Sequence, residues 1–276
     1  MIQIWSNSTS GIGNGIHNEG NIEIPTEMIS EIVANSKTDS KNEERSMRKF
    51  CQAMFPNIRE NINTPGWLEG RTILAPTNRE VDAINNMMEE CLPDVAIKLL
   101  SADTLENPED SFRFNSEYLH TLKPNGFPQH LLKLKPGMPI MLLRNINPRL
   151  GLCNGTRLIF DKCIDNKLLQ CRIVETSRVV LIPRITFIPK PTECPFEWQR
   201  RQFPVRSAFS TTINKSQGQT LKYAGVWLRG QVFTHGQLYV ACSRVGSPGN
   251  LKFALMQDQK GKAVNIVYKE VLLSPN

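Results

Sequence analysis

Two short blocks hold the residues best suited to chemistry: Ser210–Thr220, which reads STTINKSQGQT, and Leu238–Val245, which reads LYVACSRV. A phosphate is bound well by the open N–H groups of a helix start, because those donors and the helix dipole already point outward. Ser210–Asn214 reads as the end of an apolar strand carrying Phe203, Val205, Ala208 and Phe209, with Lys215 opening a short helix. That arrangement aims Asn214, Lys215 and Ser216 at an anion. Arg244 follows a helical stretch whose apolar face is Leu238, Ala241 and Cys242. A guanidinium projecting from such a rim suits the role of an arginine finger on a transferring phosphate. Taken singly, the first block reads more simply as a solvated helix cap and the second as a surface salt-bridge partner. The ordered pair is what points to phosphate chemistry.

The same two blocks carry a family likeness. STTINKSQGQTL followed by HGQLYVACSRV resembles helicase motifs V and VI of the petite-integration-frequency (Pif) ATP-dependent DNA helicases, in the version carried by Helitron transposons. RTILAPTNREVDAIN at Arg71–Asn85 resembles the first strand and helix of that family's second RecA-like domain. Leu132–Phe160, Ile182–Pro189 and Pro195–Phe209 resemble its small inserted barrel and the return from it. The likeness runs from Arg71 to about Met256, and the first seventy residues match only loosely. It implies an α/β fold: a RecA-like, P-loop-NTPase-type parallel sheet, the second motor domain, with an inserted small SH3-like β-barrel. The implied boundaries are 1–70 for a remnant of the first RecA-like domain and a linker, 71–127 and 191–256 for the two parts of the second, 128–190 for the barrel, and 257–276 for a tail.

The resemblance also divides the labour. It implies that Thr77 and Asn78 lie along a single-stranded DNA track, that Thr212, Asn214, Lys215 and Ser216 face the DNA backbone, and that Gln217, Gly218 and Thr220 face the nucleotide with Arg244 as the catalytic finger. Gly218 allows close approach because it has no Cβ. Asn214 stands where many relatives carry histidine, and Cys242 where leucine is usual. The implied function is the C-terminal half of a 5′ to 3′ DNA helicase, coupling translocation and unwinding to ATP hydrolysis. ATP and Mg²⁺ would serve the complete enzyme. Its partners would be single-stranded DNA and an N-terminal RecA-like domain, its compartment the nucleus, its settings DNA repair, recombination and telomere maintenance.

No G-x-x-x-x-G-K-[ST] string, which cradles the β- and γ-phosphates, occurs in the sequence; Gly11–Gly15 lacks the lysine, and no Asp-Glu pair follows an apolar strand. The expectation is half of an ATPase site, with no cofactor bound and little hydrolysis by this chain alone, and no metal site. The alternatives are an ATPase-dead single-stranded nucleic-acid binding module or a transposon-derived relic.

Composition agrees. The 276 residues are 40% hydrophobic and 21% charged, ordinary for a globular chain, and the net charge of +7 favours a polyanionic partner. No apolar run reaches the ~18 residues of a membrane span, and the start MIQIWSNSTS is no secretory signal. Seven scattered cysteines without C-x-x-C speak against a disulfide framework or zinc site and for a reducing compartment. His17, His120, His130 and His235 look too dispersed for a metal cluster or a triad.

Several elements must position these residues. Thr26–Ala34 and Glu43–Phe55 follow helical periodicity on either side of the polar run Asn35–Asn42, and Asn61–Gly70 reads as a linker. Ile73–Ala75 reads as a buried strand, leading through Pro76-Thr77-Asn78 into a helix through Glu90 with Val81, Ile84, Met87 and Met88 on one face. Thr77 or Asn78 is as readily a simple helix cap there. Met138–Leu143, Thr156–Phe160, Leu168–Val174 and Val179–Ile185 read as short antiparallel strands. Arg144, Arg149, Arg157, Arg172, Arg178 and Arg184 lie among them, while Phe160 and Phe187 are the aromatics. That composition suits tracking of a backbone better than stacking on bases. Strand Phe203–Phe209, strand Ala224–Leu228, helix Gly236–Val245 and strand Leu251–Met256 return to the α/β domain. In such a sheet, ligands gather beyond the carboxyl ends of the strands, where Thr77, Asn214 and Arg244 are all expected. The tail reads either as a last strand, Val264–Tyr268, or as a frayed end.

Overall fold

The computed structural model describes residues 20–33, 40–62, 64, 66–68, 70–92, 95–229 and 232–266. Gly11–Gly15, His17, most of the run 35–42 and the end of the tail lie outside these. The chain forms two compact units, one from the residues up to Cys91 together with those from Phe209 onward, the other Leu92–Ala208.

The first unit is built on five parallel strands: β1 (Ile29–Val33), β2 (Arg71–Ala75), β3 (Ser210–Thr212), β4 (Tyr223–Leu228) and β5 (Leu251–Met256), ordered β3-β2-β4-β5-β1. A parallel sheet is covered on both faces, so its strands read as unbroken apolar runs. β4 shows this, with Ala224 through Leu228 buried. Its alternate residues serve opposite faces. Trp227 meets Phe50 of helix α1 (Ser40–Met54) at 5.7 Å between ring centroids, whereas Val226 and Leu228 join the apolar cluster of Leu238, Ala241 and Cys242 from helix α3 (Gln237–Cys242). Helix α2 (Asn78–Cys91) buries Val81, Ile84, Met87 and Met88 at the expected spacing.

Several readings of the sequence are corrected here. Thr26–Ala34 is not a helix: a 3₁₀ turn over Thr26–Met28 leads directly into β1, which pairs in parallel with β5. Ile29, Ile32 and Val33 satisfy a helical period and a buried strand about equally well, and the pairing partner decides. Second, Ile29–Val33 and Ser40–Met54 are not part of a separate lobe, because β1 and α1 are an edge strand and a covering helix of the same sheet. Third, Phe203–Phe209 is not one strand of the α/β unit. Val205–Ser207 pairs antiparallel with Pro139–Leu142 in the second unit, and the chain joins the parallel sheet only at Ser210. One apolar run serves two sheets, so its composition marks no boundary. Asn61–Gly70 is also more than a spacer, since Ile58–Asn61 is a helical turn and Leu68 is buried. In the tail, Lys262–Asn265 pairs antiparallel with Gly20–Glu23.

In the second unit the four expected strands are present as Pro139–Leu142, Arg157–Ile164, Leu168–Ile173 and Val179–Pro183, and Val205–Ser207 completes an antiparallel sheet of five. The unit is wider than the 128–190 insert read from the sequence, because Ala102–Leu105 and Trp198–Gln202 pair within it. Arg200 and Asp103, both with fully buried side chains, tie those two strands together at 2.7 Å. Arg200 Nη1 also donates to the carbonyls of Leu122 and Pro128, and Nη2 to that of Leu119, so every guanidinium N–H has an acceptor. A buried ion pair is tolerable only when satisfied in this way.

At β4, a Cβ on Gly225 would fall 2.7 Å from Cγ and 2.9 Å from Sδ of Met54, and 3.0 Å from the Phe50 ring. Gly225→Ala is therefore expected to lower the unfolding free energy by about 1–3 kcal/mol, as overpacking does. Urea titration measures it; an unchanged midpoint would show that α1 does not lie this close to the sheet.

Candidate nucleic-acid and nucleotide interface

β2 and β3 are neighbours in parallel register, Thr212 opposite Ala75, so the turns that follow them emerge side by side at one edge of the sheet. After β2, Thr77 N and Oγ1 both donate to Oε2 of Glu80 at 3.1 and 2.7 Å, and Glu80 N donates back to Thr77 Oγ1 at 3.3 Å. This is a capping box, so Thr77 is the helix cap that its sequence context left open. Asn78, the first residue of α2, is exposed.

After β3, a single 3₁₀ turn spans Ile213–Ser216, capped by Thr212, whose Oγ1 accepts from Lys215 N at 3.4 Å. The helix therefore does not open at Lys215. Asn214 and Lys215 are exposed on the turn, whereas Thr212 is buried and Ser216 fully so. Ser216 Oγ donates to the Ile213 carbonyl at 2.7 Å, so this side chain is engaged within the turn. Gln217, Gly218 and Thr220 are exposed. Gly218 has φ +81°, a left-handed conformation that itself calls for glycine, and the space its Cβ would fill is open.

Arg244 departs furthest from expectation. It is not turned into the apolar core, but its main chain does not lie beyond the carboxyl ends of the strands either. Its carbonyl accepts from Leu221 N at 2.8 Å and Val245 forms a parallel bridge with Leu221, ahead of β4. The reason is topological: a crossover helix between parallel strands carries the chain back to the start of the next strand. The guanidinium is half-buried and grips main chain. Nε donates to Val240 O at 2.9 Å, Nη1 to Ser216 O at 3.3 Å and Gln219 O at 3.0 Å, and Nη2 to Ser243 Oγ at 2.7 Å. The structure thus joins Arg244 to the loop bearing Gln217 and Gly218, and sets Thr77 and Asn78 with Asn214 and Lys215 at the sheet's carboxyl edge.

Two buried polar residues missed in the sequence hold this frame. Gln237, 1% exposed, accepts from Phe233 N at 3.0 Å through Oε1 and donates to Asn214 Oδ1 at 3.3 Å through Nε2. Asn85 of α2, 5% exposed, accepts from Ser210 N at 2.9 Å and donates to Ser210 O at 3.4 Å, closing the outer edge of β3. Their signal is a polar residue on an otherwise apolar helix face, which alone names no partner.

In the second unit the arginines are less available than their number suggests. Arg157 is buried, a setting that lowers its pKa to about 10 against the pull of Glu175; Arg172 pairs with Asp161 at 3.0 Å, and Arg184 donates to Leu100 O and Gln202 Oε1. Phe160 and Phe187 are buried, so neither stacks on a ligand.

The histidines, scattered in sequence, partly converge in space. His120 and His130 stack with ring centroids 3.6 Å apart, and their nitrogens with an Asp103 oxygen lie within 4.8 Å of one another. Both Asp103 oxygens already accept from Arg200, and Ser101 Oγ donates to one of them at 2.6 Å while contacting His130 Nδ1 at 2.7 Å. A buried guanidinium on the carboxylate opposes a cation there. Burial, then the neighbouring His120, pushes the His130 pKa down, with Arg200 adding to the shift and Asp103 opposing it. Among the cysteines, burial pushes the thiols of Cys51 and Cys242 up to about 12, which leaves them unreactive.

Known proteins resemble this chain in sequence and in fold. Residues 117–161, within the second unit, match the family model of the DNA helicase Pif1 2B domain. The ATP-dependent DNA helicase Pif1 of Bdellovibrio bacteriovorus is 34% identical over 157 residues, 56% of this chain and 34% of that protein, so the chain spans about a third of the length of this relative. The crystal structure of the Pif1 helicase from Candida albicans superposes with a TM-score of 0.59 at 20% identity, covering 98% of this chain and 56% of the other. The Pif1 helicase from Bacteroides in complex with ADP-AlF3 and single-stranded DNA gives 0.54 at 19% identity, over 85% and 53% of the two chains. The α/β fold with a five-stranded parallel sheet and an antiparallel 2B insert is that of the Pif1 helicases.

Arg244→Ala is expected to speed amide hydrogen exchange across Gln217–Leu221 and to lower stability by about 1–3 kcal/mol, since part-buried carbonyls lose a charged donor. Unchanged protection there would show that the guanidinium does not hold the loop. His130 has a folded-state pKa below the unfolded value of about 6.5, so stability is full above that pH and falls as acidification takes the pH through the folded pKa. The urea midpoint should drop between pH 7.5 and 5.5, and drop less in His130→Asn; equal losses would sink this assignment.

Proposed function

We propose that this chain is the C-terminal portion of a Pif-family, Helitron-type 5′ to 3′ DNA helicase, contributing part of the single-strand track and the arginine side of an ATP site. The observation that carries it is the juxtaposition of two exposed turns, Thr77-Asn78 and Asn214-Lys215, at the carboxyl edge of β2 and β3, with Arg244 bound to the loop next to them. The likeness in fold to Pif1 helicases, one of them in complex with single-stranded DNA and a nucleotide analogue, supports the reading.

In this reading Asn78, Asn214 and Lys215 meet the phosphates of one strand. Thr77, Thr212 and Ser216 hold the two turns in shape. Gln217, Gly218, Thr220 and Arg244 lie on the nucleotide side, and an N-terminal RecA-like domain brings the glycine-rich phosphate loop and the Mg²⁺ ligands. A half-buried guanidinium beside three exposed loop residues fits a polyphosphate from one side only. ATP hydrolysis would supply the free energy for closing two lobes on the strand, in the nucleus during DNA repair or recombination. To serve as a finger, Arg244 must exchange the Ser216 and Gln219 carbonyls for phosphate oxygens. That engagement with main chain is the one observation favouring the second reading, a single-strand binding module without ATPase activity.

Fluorescence anisotropy with a labelled oligothymidylate tests the track. Affinity should fall steeply with salt, and Lys215→Ala should reduce the slope of log affinity against log salt by about 1, as loss of one phosphate contact does. No salt-dependent binding at low ionic strength would refute the track. ATP turnover by the full chain mixed with a partner domain carrying the phosphate loop, lost in Arg244→Ala, separates the motor from the binding module.

A further inference from the structure

Phe233 is an aromatic side chain that its own turn holds out of the core. Phe233 is 54% exposed, while the preceding Val232 is 3% exposed and lies in the apolar cluster with Leu238 and Ala241. The following turn is closed by Gln237 N donating to Thr234 O at 3.3 Å. Gly236, at the left-handed φ of +68°, donates its N–H to Ile266 O at 3.0 Å. Phe233 N donates in turn to Gln237 Oε1, and the other end of that buried amide holds Asn214 Oδ1. One side chain therefore fixes Phe233 and Asn214 relative to each other, both beyond the carboxyl ends of strands of the same sheet.

A single exposed apolar residue is ordinary on a protein surface. A ring whose main chain is anchored by a buried valine on one side and a hydrogen bond to a buried amide on the other, beside an exposed asparagine and lysine, differs in having its backbone position fixed. It presents a flat π face at little entropic cost, which is what stacking on a nucleobase requires. Resting on the reading of this edge as a single-strand track, we propose that Phe233 stacks on one base of the strand whose phosphates pass Asn214 and Lys215, with Gln237 as the positioning residue. Stacking accepts every base, so the contact adds affinity without sequence preference. It also supplies an aromatic contact that the buried Phe160 and Phe187 cannot.

The test compares the full chain and its variants on a labelled oligothymidylate and on the same strand carrying abasic residues, by anisotropy at several salt concentrations. Phe233→Ala should weaken binding to the intact strand roughly tenfold, within the range that one stacked base gives. Phe233→Trp should retain affinity, the salt slope should stay that of the unaltered chain because no phosphate contact is lost, and on the abasic strand the unaltered chain and Phe233→Ala should bind alike. Equal affinities of those two proteins for the intact strand overturn the stacking role while leaving the phosphate track standing. A defect that persists in full on the abasic strand also overturns it, since the ring then acts on the protein and not on a base. Absence of salt-dependent binding by the unaltered chain removes the track and the stacking contact together.

Discussion

The parallel pairing of β2 with β3 and β4 is the constraint on which the rest of this site depends. Parallel strands cannot be joined by tight turns, so every connection must travel back along a face of the sheet. Turns leaving the strands gather at one edge, and chain returning from a helix arrives toward the other. Thr77, Asn78, Asn214 and Lys215 belong to the first group, and Arg244 to the second. The gathering of Thr77, Asn78, Asn214 and Lys215 at one edge follows from this rule more than from any individual side chain.

Polar ties then convert the arrangement into a frame. Gln237 links the turn after β3 to the loop after β4, Asn85 closes the free edge of β3, and Arg244 fastens the Ser216–Gln219 loop to the end of α3. Each is a buried or half-buried group whose partners are main-chain atoms, another amide or, for one Arg244 nitrogen, the Ser243 hydroxyl. Such bonds contribute modestly when made and are costly to leave broken, so they define one conformation more than they add stability. In that conformation the Arg244 guanidinium and the loop beside it are a single unit. Any anion that draws on the guanidinium must also disturb the carbonyls it holds.

The antiparallel unit solves a different problem with the same chemistry. Its strands arrive from distant stretches of the chain, and the fully satisfied Arg200–Asp103 pair marks where the early and late segments meet. The paired side chains also organise Ser101, His130 and His120 around them. A grouping that resembles a metal site in composition is better explained as the periphery of a buried ion pair, because its carboxylate is already neutralised.

Local order was legible in the residues themselves. The period of Val81, Ile84, Met87 and Met88 defined α2, the short apolar runs between Met138 and Ile185 defined four strands, and the two blocks ending in Thr220 and Val245 identified where phosphate chemistry would be sought. Periodicity and turn chemistry act over a few residues, so they survive in a one-dimensional reading. What the tertiary structure alone decided were the pairings: that Ile29–Val33 joins the same sheet, that Val205 and Ser210 belong to different sheets, that Ser216 is buried, that Arg244 grips a loop, and that His120 meets His130. Each depends on contacts between segments far apart in the chain, where the free energy of burial and pairing overrides a local preference that was nearly balanced.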